Sequence, residues 1–171
     1  LLAADAEGSS LVRDAATPAA LQVVHAAPTV GDAEVFVSSD SLGLADVELI
    51  DSLDYLQVVP SASSRVNVSP AADYRVKVAQ ADTGADAALI DVAGVALEAG
   101  QAYTVVATGG SNGTAAQLLL TPDDDRSVAT EARVKVLHAA PDAGVVDVYV
   151  NAADTVSDAA ILNGDVPPAL N

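Results

Sequence analysis

The phrase Val23-Val24-His25-Ala26-Ala27-Pro28 returns near the other end of the chain as Val136-Leu137-His138-Ala139-Ala140-Pro141. The match continues through Gly31 and Gly144, then through Glu34-Val35-Phe36-Val37 and Asp147-Val148-Tyr149-Val150, at a constant offset of 113 residues. The only two histidines of the chain fall at the same place in it. A repeat this long marks a domain-sized unit, not a solenoid repeat of about 20–50 residues. The spacing predicts one complete domain over 21–121 and the beginning of a second over 133–171. An arm at 1–20 and an acidic linker at 122–132 flank the first.

From Leu21 onward the apolar pattern has period two. Leu21, Val23 and His25 share one strand face, and Tyr74, Val76 and Val78 alternate with Asp73, Arg75 and Lys77. Further strands are expected over 33–38, 47–50, 55–59, 65–68, 88–92, 102–108 and 116–121. Clusters such as Ser61-Ala62-Ser63, Asp82-Thr83-Gly84 and Gly109-Gly110-Ser111-Asn112-Gly113 separate them. Short strands punctuated in this way predict an all-β, antiparallel sandwich or barrel. No segment holds a helical apolar stripe over three turns. Ala and Val dominate the apolar residues, and the aromatics are Phe36, Tyr55, Tyr74, Tyr103 and Tyr149. Small branched side chains suit a thin sandwich core better than a deep aromatic pocket. Val35, Val37, Val66, Val76 and Val105 are the expected centre of that core.

Taken together, the phrases resemble the DUF4397 domain, a bacterial and archaeal extracellular module of unassigned function. The resemblance rests on His138-Ala139-Ala140-Pro141-Asp142 with Val146-Asp147-Val148-Tyr149-Val150, on Tyr74-Arg75-Val76-Lys77-Val78, and on Leu97 through Ala107. It covers about 21–121 in full and 133–165 as a second beginning, and the first phrase departs at Thr29, Asp32 and Glu34. It implies an immunoglobulin-like sandwich, often in tandem, outside the cell. It brings no catalytic residues and no cofactor.

The net charge of −17, from 24 acidic and 7 basic residues, would repel phosphate backbones and anionic lipid. Nucleic acid is therefore not an expected partner. The acidity fits either adaptation to high salt or simple solubility of an extracellular protein. The chain has no Cys, so disulfides and thiol chemistry do not arise. Its lack of Met fits removal of a signal peptide. No apolar run approaches the roughly 20 residues that span a bilayer.

Individual residues point to structure more than to chemistry. His25 and His138 share their strand faces with apolar residues, so each imidazole is expected to point inward and bond the turn at Pro28 or Pro141. Neither has the neighbours of a zinc site. There is no Gly-x-Ser-x-Gly elbow, and no enzymatic activity is expected. Asp123, Asp124 and Asp125 could hold Ca²⁺ at the junction, but they lack the spacing of a dedicated loop, and a solvated linker is favoured. Asn67-Val68-Ser69 and Asn112-Gly113-Thr114 are glycosylation sequons. Phe36 and Tyr149 lie on strand faces opposite the inward valines and are candidate interface residues.

Three strands or so at 133–171 cannot bury enough surface alone. They are expected to pack on the first domain, to accept a strand from another chain such as residues 1–20, or to continue into further sequence. The second case gives head-to-tail self-association and a fibre or surface layer at the cell exterior. A truncated multi-domain adhesin, or a carbohydrate- or Ca²⁺-binding module, is the alternative.

Overall fold

A computed structural model describes residues 2–5, 8–11, 14–61, 64–110, 115–123, 135–140, 143–150 and 159–162. Among these residues thirteen strands follow in chain order: β1 (Leu2–Asp5), β2 (Gly8–Leu11), β3 (Ala19–Ala26), β4 (Ala33–Ser39), β5 (Leu44–Leu53), β6 (Val58–Val59), β7 (Val66–Val68), β8 (Ala71–Gln80), β9 (Ile90–Leu97), β10 (Ala102–Thr108), β11 (Gln117–Asp123), β12 (Val148–Val150) and β13 (Ala159–Leu162). One short 3₁₀ turn, Ala85–Ala87, joins β8 to β9.

Two sheets face each other. One runs β11-β10-β3-β6, with β7 also on the free edge of β3, and the other runs β5-β4-β8-β9. Period-two alternation places Leu21, Val23 and His25 of β3 against Val35, Val37, Tyr74 and Val76 of the second sheet, all buried. Four of the five valines expected at the centre are at most 7 % exposed; Val66 is half-buried because β7 is a three-residue edge strand. A gap between the sheets, lined by Leu21, Val37, Tyr74, Val76 and Val105, measures about 20 Å³, room for one water at most. Tyr74 and Tyr103 send their hydroxyls back five residues, to the Ser69 carbonyl and the Glu98 amide, pinning the turns that precede their strands.

Two departures from the sequence reading have identifiable causes. The pair β3–β10 is parallel, whereas every other pair is antiparallel. A parallel pair needs a long crossover, and residues 27–101 supply it by building the opposite sheet before the chain returns. Strand β9 runs to Leu97 where a break after Val92 is expected. Gly94, at φ +75°, sits where the β8–β9 register shifts, so this glycine makes a bulge instead of an end.

The β4–β5 turn is held by a single carboxylate. Asp73 accepts from the Ser39 hydroxyl at 2.7 Å, the Ser41 hydroxyl at 2.7 Å and the Ser41 amide at 2.8 Å. The Ser39 bond, then those from Ser41, pull its pKa down to about 2. A carboxyl depressed on folding adds stability that is complete above its unfolded value and is lost as pH falls towards 2. Carbon-detected NMR should show Asp73 titrating near 2 and Ser39→Ala moving it upward. An unshifted Asp73 in the wild-type protein would contradict these bonds.

Candidate functional site

The repeated phrase forms the same histidine-bonded turn twice among the described residues. In its first occurrence β3 ends at Ala26, and the chain reverses through a turn closed by the Val30 amide on the Ala27 carbonyl at 3.2 Å. Pro28 takes the second position of that turn, which suits its fixed φ. Gly31, at φ +71°, then aims its carbonyl at His25 Nε2, 2.6 Å away. The Ala27 amide donates to Nδ1 at 3.4 Å, which leaves Nε2 as the donor to the Gly31 carbonyl. His25 is completely buried. Its backbone is clamped from the other side: the His25 amide donates to the Gln57 carbonyl at 3.1 Å, and the Leu56 amide to the His25 carbonyl at 2.8 Å. The Tyr55 ring stands edge-on to the imidazole, with centroids 6.0 Å apart. The expectation that His25 is an inward residue bonding its own turn agrees with this geometry.

The second occurrence rebuilds the same turn. The Ala143 amide donates to the Ala140 carbonyl at 3.3 Å, Gly144 has φ +64°, and His138 Nε2 lies 2.9 Å from the Gly144 carbonyl. Strands β12 and β13 then form a hairpin whose register shifts between Val148 and Tyr149. In β4–β5 a register shift falls between Val35 and Phe36, the positions equivalent to these at the repeat offset. Sequence identity has thus been carried into backbone geometry.

Burial is where the two occurrences part. Val23, His25 and Ala27 are buried and Val24 and Ala26 half-buried, whereas Val136, His138 and Ala140 are exposed and Leu137 and Ala139 half-buried. The alternation is the same, but the side that makes the core in the first phrase meets water in the second. Val136, Val145 and Val146 are 40 %, 80 % and 37 % exposed. The expectation that His138 points into a core is therefore corrected: it keeps its turn bond but lies exposed. Among the described residues, 135–140 carry no strand pairing.

The half-buried side of the second phrase rests on the outer face of the first sheet. Thr108 Oγ1 donates to the Ala139 carbonyl at 2.6 Å, and Lys135 Nζ donates to the Pro122 carbonyl at 2.9 Å. A groove of about 260 Å³ remains between them, bordered by Val24, Thr104, Val106, Thr121, Leu137 and Ala139. Asp123 is the anchor. Oδ1 takes Lys135 at 2.7 Å, and Oδ2 takes Arg65 at 3.0 Å and the Thr104 hydroxyl at 2.7 Å. Burial pushes this carboxyl up, but Lys135 and Thr104, then the charge of Arg65, outweigh it and hold its pKa below the usual range. Its contribution is thus complete above the unfolded carboxylate value and fades in acid. Asp123→Asn should cost about 2 kcal/mol in urea unfolding at neutral pH, because it removes the negative charge that Lys135 and Arg65 share at a largely buried acceptor. A loss confined to pH below 3 would contradict the anchor.

The remaining candidates separate. Both Asp123 oxygens face protein cations or a hydroxyl, which leaves this residue poorly placed as a Ca²⁺ ligand; Asp124 and Asp125 lie outside the described residues. Among the described residues no group of three His, Asp or Glu could hold a metal ion. Asn67 is exposed on β7, and Asn112 and Pro141 lie outside the described residues, as does the Tyr149 side chain. Phe36 corrects the interface reading, since it is only 8 % exposed. It faces away from the main core, but Glu48 and Lys77 are its direct cross-strand partners, and Lys77 reaches across to Asp46 at 2.8 Å. Long side chains on that face cover the ring. Sequence reasoning missed the Tyr55–Gln57 clamp and the Asp123–Lys135 anchor. The scarcity of aromatics and of lysines was the only signal for either.

Residues 19–149 match the family model described as a domain of unknown function, DUF4397, in a single span that includes both phrases. No curated protein matches the chain. The chain belongs to the DUF4397 family.

Proposed function

We propose, proceeding from membership of that family, that this chain is a non-catalytic structural protein of the cell exterior. Residues 133–171 begin a second unit, and the chain assembles head to tail through it by β-strand complementation, as the subunit of a surface filament or layer. The observation that carries this reading is the inverted burial of the second phrase. A backbone already shaped for a sandwich presents its core-forming side, Val136, His138 and Val146, to water. Such a face gains from a second β layer, and an unpaired extended segment accepts one by strand addition. Contacts of this kind are heterologous, so they propagate unless the rotation closes a ring.

An exterior location accords with a net charge of −17 and the absence of Cys. In a saline medium the mutual repulsion of such subunits is screened beyond a Debye length of about 8 Å, which permits close assembly. Residues 2–5 and 8–11 pair with one another as β1 and β2, and with no other described strand, so an arm acting as donor would add as a hairpin. A second reading, a binding module of a multi-domain adhesin, is favoured only by the groove of about 260 Å³ beneath the second phrase. Electron microscopy of the purified chain in saline buffer separates the two. Filaments or ordered sheets are expected, and a field of discrete single particles at high concentration would contradict the proposal.

A further inference from the structure

We infer that the edge running from Val136 to His138 is a docking site for an extended segment patterned like Tyr55–Val59: an aromatic residue, a spacer of two residues, then two branched apolar residues, laid antiparallel. This deepens the reading of the second phrase as an open unit and rests on it.

The first phrase specifies the occupant. There Val59 pairs with Val23 and Val58 with Val24, antiparallel. The next residue, Gln57, accepts the His25 amide, while Leu56 donates to the His25 carbonyl and Tyr55 sets its ring edge on the imidazole. The second phrase offers the same acceptors and donors in the same order, since Val136, Leu137 and His138 occupy the positions of Val23, Val24 and His25. Its turn is the same too, with the imidazole held by the Gly144 carbonyl as the other is by Gly31. The ring is therefore already oriented, and it is exposed. Leu137 and Ala139 are engaged against the outer face of the first sheet, which fixes the segment in place and leaves its other side open. Preorganisation of this sort lowers the ordering cost of strand addition. The matching supplier is a second copy of this chain, whose Tyr55–Val59 segment, held on its own Val23–His25 in the single chain, exchanges onto this edge.

The pattern also discriminates. Residues 2–11, which form strands β1 and β2 outside the two main sheets, contain no aromatic and cannot reproduce the contact on the imidazole.

The test uses the isotope-labelled full chain and a synthetic peptide copying residues 53–60. Saturable shifts of the His138 ring and the Val136–His138 amides are expected, with His25 unmoved. A peptide carrying Tyr55→Ala should bind about ten-fold more weakly, the usual scale of one aromatic contact. A peptide copying residues 2–11 should give no shift at His138. An unmoved His138, equal binding by the Tyr55→Ala peptide, or capture of the 2–11 peptide instead would overturn the inference. Sedimentation of the same samples keeps the two readings apart. A chain that self-associates without binding the 53–60 peptide overturns only the identity of the segment. A chain that binds the peptide yet stays monomeric overturns only the assembly.

Discussion

His25→Ala is expected to lower the stability of the folded chain by about 3 kcal/mol, while His138→Ala changes it by less than about 0.5 kcal/mol. The two residues sit in the same phrase, in the same turn, on the same kind of carbonyl. Only their surroundings differ. Removing His25 deletes a fully buried ring from between the sheets, leaves the Gly31 carbonyl without its donor, and takes away the surface on which Tyr55 rests. Cavity and lost hydrogen bond act together there. Removing His138 frees a carbonyl that water can reach, because the ring and Gly144 are both exposed. Urea unfolding followed by circular dichroism measures both, with the slope of the transition unchanged if the variants remain two-state. Equal losses from the two substitutions would mean that the second phrase is buried as the first is, and the inverted alternation would be wrong.

Much of the fold is written in period-two alternation, which is why β3, β4, β8 and β10 are legible within three residues of their ends. Central strands of a sandwich carry their burial pattern on every second residue, and Leu21-Val23-His25 and Tyr74-Val76-Val78 show it without interruption. Edge strands are less legible because only part of each is constrained. Strand β5 spans Leu44–Leu53 where alternation marks only 47–50, since its outer residues, among them Asp46, Glu48 and Asp51, answer to solvent. The parallel pairing of β3 with β10 has no local signature at all. It follows from where the chain has travelled in between, and side-chain pattern is blind to strand direction.

The candidate site was legible as a repeat but not as a surface. An offset of 113 residues equates Val136 with Val23 whatever covers either one. Burial is decided by the second layer, which the phrase itself does not encode. Phe36 shows the same gap in the other direction. Its strand face is outward as its neighbours require, yet cross-strand Glu48 and Lys77 flank the ring and leave it 8 % exposed. Asp123 was visible only as one acid in a run. Its role depends on Arg65, Thr104 and Lys135, which lie far apart in the chain and meet because β11 carries it onto the edge of β10.

The most direct measurement of the account is sedimentation velocity on the full chain in saline buffer, beside a variant carrying Val136→Asn and Val146→Asn. Both positions lie on the side of the second phrase whose equivalents in the first, Val23 and Ala33, are core, and neither substitution alters the net charge. Val136 and Val146 keep 40 % and 37 % of their surface exposed in the single chain, so covering the remainder on association supplies about 0.6–1.2 kcal/mol each, and the double variant should associate about ten-fold more weakly. Its melting temperature should match that of the parent, because both side chains are already in contact with water in the single chain. The account predicts concentration-dependent association of the parent chain and its loss in the variant. A parent chain that sediments as a monodisperse monomer at every concentration, or a variant that assembles as readily as the parent, would contradict it.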